Sequence, residues 1–152
     1  MQLTQKESGL LKDLKDEEKL CIEKYTQHAE AAHDPQLKQL FHQIADVERG
    51  HLATLNQIES GSAPAASGSP SAATNKTFTA TYSMADTPEK KRDQYLCSDL
   101  LTTEKHAAGL YNTCVFEFGQ SEFRQALNHI QTEEQGHGDQ IYKYMKANSM
   151  YS

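Results

Sequence analysis

Glu134-Gln-Gly-His137 has a second copy 86 residues upstream, Glu48-Arg-Gly-His51. Sliding the chain on itself by 86 residues without a gap also superposes Glu18 on Glu104, Lys19 on Lys105, Tyr25 on Tyr111, Asp13-Leu14 on Asp99-Leu100 and Ile44 on Ile130. Residues 10–51 and 96–137 share 11 identities in 42 positions, so the chain is an internal repeat. On a helix, Glu-x-x-His sets a carboxylate and an imidazole one turn apart on one face. Two such motifs, with one further Glu from each of two other helices, make the ligand set of a dinuclear metal site in a helix bundle. The candidate ligands are therefore Glu18, Glu48, His51, Glu104, Glu134 and His137.

Composition alone, with 13 Glu and 7 His, would produce roughly 0.6 Glu-x-x-His matches by chance. A third copy, Glu30-Ala-Ala-His33, is such a match: under the offset it meets Phe116 and Gly119, and it lies against Asp34-Pro35 at a helix end. The other two recur in register, each 30 residues after a register-matched Glu.

Helical periodicity places these residues. Thr4-Gln-Lys-Glu7 reads as a capping box, followed by a stripe of Leu11, Leu14, Glu18, Cys21 or Ile22, Tyr25, His28 or Ala29, and Ala32 at three- and four-residue steps. Asp34 as N-cap and Pro35 at the first helical position open a second helix. Its stripe is Leu37, Phe41, Ile44, Glu48, His51, Leu55 and Ile58, closed by Gly61. Thr87-Pro88 opens the third, with Cys97, Leu100, Glu104, Ala107 or Ala108, Tyr111, Cys114 or Val115, and Phe118; Gly119 is expected to stop it and Ser121 to cap the fourth. There Phe123, Leu127, Ile130, Glu134, His137, Ile141 and Tyr144 mirror the second helix. In each stripe a lone acid, with or without a His, interrupts an apolar face.

Between the helix pairs 5–59 and 88–147, residues 60–87 turn to Ser, Ala, Gly, Thr and Pro with no helical period, which reads as a linker. A 20-residue helix is only about 30 Å long, so this segment can carry the chain from one end of a bundle to the other. Phe78, Tyr82 and Met84 are expected to pack on the helices and 61–73 to move. The architecture expected is all-α, a four-helix bundle with one long crossover, forming one domain over 1–152.

The net charge of −6 and the lack of a basic stripe argue against nucleic acid. No apolar run approaches the 18 or so residues that span a bilayer, and the first residues lack the apolar core of a signal peptide. A soluble, cytoplasmic chain without a membrane partner is expected. Cys21, Cys97 and Cys114 form no Cys-x-x-Cys pair and read as small buried thiols.

The second half resembles the spore coat protein F family of endospore-forming bacteria, a branch of the ferritin-like superfamily. The resemblance is carried by Asp93-Gln-Tyr-Leu-Cys-Ser-Asp-Leu-Leu-Thr-Thr-Glu-Lys105, Leu110-Tyr-Asn-Thr113, and the tail from Glu133-Glu-Gln-Gly-His137 through Ile141-Tyr-Lys-Tyr-Met145 to Met150-Tyr151. It implies a ferritin-like bundle, a role in sporulation and association with the spore coat. Candidate partners are coat proteins and further copies of the chain. Similarity to the wider diiron-carboxylate group implies that Glu18 and Glu104 are terminal ligands, that Glu48 and Glu134 bridge two ions, and that His51 and His137 each bind one. Ala107 stands where a rubrerythrin places a further Glu, and no rubredoxin-like iron motif accompanies the bundle.

Two divalent ions are the cofactor expected, iron before manganese, because a carboxylate-rich site with two imidazoles suits those metals better than a closed structural zinc site. Their expected separation is roughly 3.5–4 Å. Tyr25 and Tyr111 are expected to hydrogen-bond at the edge of the site, while His28, His33, His42, His106 and His129, lacking register-matched histidines, read as surface or packing residues. The activity such a site supports is chemistry on oxygen, peroxide or Fe(II). A structural coat protein without catalysis is the alternative reading.

Overall fold

A computed structural model describes residues 2–64 and 76–151. Four helices account for the fold, α1 (Gln5–Ala31), α2 (Pro35–Glu59), α3 (Pro88–Glu117) and α4 (Ser121–Ala147), with no strand among the described residues. The starts follow local chemistry. Thr4 Oγ1 accepts from Glu7 N at 3.1 Å while Glu7 Oε1 accepts from Thr4 N at 2.8 Å, closing the capping box. Asp34 accepts from Gln36 N at 2.9 Å ahead of Pro35, and Thr87 accepts from Lys90 N at 3.1 Å ahead of Pro88.

Two expected boundaries differ. The N-cap of α4 is Gln120, in extended conformation and without a side-chain cap bond, and Ser121 is already helical, its hydroxyl turned to Glu122 at 3.4 Å. Helix α3 ends at Glu117 rather than on Gly119: Phe118, 1% exposed, takes an extended conformation that drives its ring into the core. At the end of α2, by contrast, Gly61 has φ 94°, a conformation that glycine adopts without steric penalty.

Helices α1 and α2 form one antiparallel hairpin and α3 and α4 the other, and reciprocal contacts join the two. Tyr25 on α1 bonds Glu104 on α3, and Tyr111 on α3 bonds Glu18 on α1, both at 2.5 Å. At the bundle ends, Glu7 Oε2 accepts from Gly119 N at 3.0 Å, and Asp93 Oδ1 accepts from His33 N at 2.8 Å. Glu7 and Asp93 are register partners under the 86-residue offset, as are His33 and Gly119. The repeat is thus a pseudo-twofold in space, with α1 and α3 antiparallel.

That arrangement makes α2 and α3 parallel, so the chain must travel the length of the bundle between them. Of this connection, residues 60–64 and 76–87 are described. Phe78 and Tyr82 pack against the core at the far end, where Asn148 Oδ1 accepts from Thr81 N and Tyr82 N, and Asp93 accepts from the Tyr82 hydroxyl at 2.6 Å. Met84, expected to pack, is 83% exposed; the contact with the bundle at this point is made instead by the neighbouring Ser83, whose carbonyl accepts from Lys90 Nζ at 2.8 Å. The expected mobility of 61–73 falls largely on 65–73, outside the described residues. No helix among the described residues is long and apolar enough to cross a membrane.

The apolar stripes fill two core clusters. One contains Tyr25, Leu37, Phe41, Leu100, Ile141 and Tyr144; the other contains Leu11, Leu14, Leu55, Tyr111, Phe123 and Leu127. The three cysteines are free and buried.

Candidate metal centre

The six residues singled out by the repeat come together in the bundle interior. Glu18, Glu48 and Glu134 are fully buried, and Glu104, His51 and His137 are at most 3% exposed. Two overlapping groups each bring four ligand atoms within 4.8 Å of one another: Glu18, Glu48, His51 and Glu134, and Glu48, Glu104, Glu134 and His137. The two groups share Glu48 and Glu134. The unmatched Glu30 and His33 lie exposed, away from both groups.

Both imidazoles present Nδ1 to the carboxylates. His51 Nδ1 is 3.0 Å from Glu134 Oε1, 3.3 Å from Glu48 Oε2 and 3.6 Å from Glu18 Oε1. His137 Nδ1 is 3.0 Å from Glu48 Oε1, 3.5 Å from Glu104 Oε1 and 3.7 Å from Glu134 Oε1. The rings stack with centroids 6.0 Å apart. Each histidine therefore touches the bridging candidates and the lone Glu of one hairpin.

Four carboxylates this close cannot all stay ionised in an apolar interior. Burial, and then the neighbouring carboxylates, push Glu48 and Glu134 well above the ordinary carboxyl range. Burial also acts upward on Glu18, but the neighbouring Glu48 and His51 and the hydrogen bond from Tyr111 outweigh it and leave that carboxyl low. Burial favours the neutral form of both imidazoles, yet the surrounding carboxylates override it and raise His51 strongly and His137 as well. Tyr25 and Tyr111 stay protonated, held high by burial and adjacent carboxylates, and so remain hydrogen-bond donors.

Donors remain too few. Glu18 Oε2, Glu104 Oε2 and both oxygens of Glu134 are buried without a hydrogen-bond partner; the 3.0 Å approach of His51 to Glu134 lacks hydrogen-bond alignment. Buried acceptors left in this state are rare in native proteins and point to a missing ion or water.

Sequence reasoning missed one neighbour. Glu133 Oε1 lies 3.0 Å from His51 Nε2, on the side of the ring facing away from the cluster, and 3.2 Å from Nε2 of His129. His129, read above as a surface or packing residue, is thus connected to the centre through Glu133. The hydrogen bond to His51 is the main cause that holds the Glu133 carboxyl down at about 2. A signal was present in the repeat: Val47, the register partner of Glu133, is apolar and partly buried, which marks the position as one that faces inward.

Fold and site define a four-helix bundle carrying a buried, pseudosymmetric carboxylate and imidazole cluster. Over residues 92–152, the second hairpin and the tail after it, the chain matches the family model of the Coat F domain, in agreement with the spore coat protein F resemblance read from the sequence. No curated protein and no solved structure matches the chain.

Proposed function

We propose that this protein is a ferritin-like, dinuclear metal-binding protein of the spore coat, acting on oxygen, peroxide or Fe(II). The observation that carries the reading is the set of buried carboxylate oxygens without donors, all within two four-ligand groups. Two divalent cations would balance four carboxylates, and the mixture of carboxylate and neutral imidazole suits iron or manganese. Glu18 and Glu104 would be terminal ligands, Glu48 and Glu134 would bridge, and His51 and His137 would each supply Nδ1. When bound, such ions supply Lewis acidity and, for iron or manganese, one-electron chemistry at open coordination positions.

The chain's own residues orient and enclose that chemistry. Tyr25 and Tyr111 hold Glu104 and Glu18 by one oxygen each, leaving Oε2 of both carboxylates free. The apolar clusters above and below exclude bulk water. With all six ligands at most 3% exposed, only very small molecules or ions reach the centre without helix movement, which favours dioxygen, peroxide or Fe(II) over organic substrates. The Coat F match supports a place in the spore coat.

Elemental analysis of protein purified without chelators tests the reading. About two equivalents of iron or manganese are expected, with loss of metal in Glu134→Ala. Protein that holds no metal, and whose melting temperature does not respond to Fe(II) or Mn(II), would instead support a purely structural coat component.

A further inference from the structure

The six ligand positions repeat between the two halves of the cluster, but what stands behind the two imidazoles does not. His51 Nε2 is tied to Glu133 at 3.0 Å, and Glu133 is tied in turn to the half-exposed His129 at 3.2 Å. Neither residue recurs in the other half. The register partner of Glu133 is Val47, which cannot accept a hydrogen bond, and that of His129 is Gln43. Both departures lie behind the same imidazole, while every ligand position is kept.

Resting on the dimetal reading above, we propose that the two metal positions are inequivalent: Glu133 is a positioning residue that fixes His51, so the position served by His51 binds a divalent ion more tightly than that served by His137. An imidazole ligates through one nitrogen only if the proton resides on the other. With Glu133 accepting at Nε2, the proton is held there and Nδ1 presents its lone pair to Glu18, Glu48 and Glu134. A carboxylate behind a ligating histidine also fixes the ring plane and raises its basicity, and removing such a partner lowers metal affinity about 10–100-fold. Glu133 further places directly against His51 a carboxylate that Val47 cannot offer His137, which favours a cation there. Through its own counterpart position, Val47, His137 receives neither effect.

Titration of the chelator-treated full chain with Mn(II), following the free ion by its EPR signal, tests the proposal. Wild type is expected to bind two ions in two resolved steps. Glu133→Val, which copies the α2 residue into α4, should weaken the tighter step about 10–100-fold and leave the weaker step in place. Glu133→Gln keeps the shape and an acceptor without the charge, so a smaller loss on the same step is expected; it decides the matter if the valine variant does not fold, as judged by its melting curve without metal. His129→Gln should act in the same direction more weakly. Two equal steps in wild type, or a loss spread evenly over both steps, would overturn the inequivalence while leaving the dimetal reading standing. Failure of wild type to bind either Mn(II) or anaerobic Fe(II) would remove both.

Discussion

Raising the pH of the metal-free protein from 5 to 8 should destabilise it, the opposite of what ionised, paired carboxylates usually do. The sign follows from four buried groups. Glu48 and Glu134 sit well above the ordinary carboxyl range, and His51 and His137 sit above the ordinary imidazole value. Unfolded, the two carboxyls lose their protons above about pH 4.3 and the two imidazoles above about pH 6.5, while the fold retains them. The burial penalty on the carboxyls is absent below the unfolded value and grows as pH rises towards the folded one. The stabilisation of the imidazolium ions is complete below pH 6.5 or so and is lost as pH rises through the folded value. Glu18 and Glu133, both shifted downward, are ionised folded and unfolded in this window and add no slope.

Each extra proton held by the fold contributes at most about 1.4 kcal/mol per pH unit, so the two carboxyls together give a downward slope of at most roughly 3 kcal/mol per unit between pH 5 and 6. Against a total stability of about 5–15 kcal/mol, that is a large fraction. A divalent ion replaces those protons, so Mn(II) binding should strengthen with pH and the loaded protein should lose the downward slope. Urea unfolding followed by circular dichroism at pH 5, 6, 7 and 8, with chelator and with Mn(II), measures both arms. Stability that is flat or rising with pH in the chelated arm would refute the reasoning.

His137→Ala should abolish most of the melting-temperature rise on adding Fe(II) or Mn(II), which mass action puts at about 2.7 kcal/mol for free metal at 100 times its dissociation constant, whereas His33→Ala should leave it unchanged; equal loss in the two variants would defeat the repeat as a guide to the site. Asp93→Ala strips the acceptor from His33 N, Asp34 N and the Tyr82 hydroxyl, and should lower stability by about 3 kcal/mol or more in urea titrations. Tyr111→Phe removes the 2.5 Å donor to Glu18 and should remove about 1.5–3 kcal/mol from the metal-free protein by the same measurement. Deleting residues 62–71 should change stability by less than about 2 kcal/mol, since a shorter loop lowers the closure entropy and the segment lacks apolar periodicity.

The centre was legible because each ligand breaks an apolar stripe at a position the second copy repeats, so periodicity gave the face and the offset gave the depth. Tyr25 and Tyr111 were legible for the same reason. Glu133 was harder to read: next to Glu134 it looks like one acid of a solvated pair, and the apolar Val47 at its register position was the one hint that it faces inward, towards the approach of α2 to α4. Asp93 sits in the charged run Glu89-Lys-Lys-Arg-Asp93, yet it is fully buried because the turn between α1 and α2 folds down onto it. Lys90, in the same run, is 2% exposed because the crossover covers it. Such burials arise from the meeting of the two hairpins and of the crossover with them, whereas sequence periodicity reports each helix alone.

The crossed tyrosine bonds and the shared ligand groups bear on how such a chain could arise. A single hairpin carries one Glu-x-x-His, one lone Glu and one tyrosine whose acceptor lies on another hairpin. Alone it completes neither ligand group; two identical copies, related by a true twofold, would complete both. Fusion of two such copies through the crossover would turn an intermolecular pairing into an intramolecular one, and would release the halves from identity. Only after it could an acid such as Glu133 arise on one side without appearing on both.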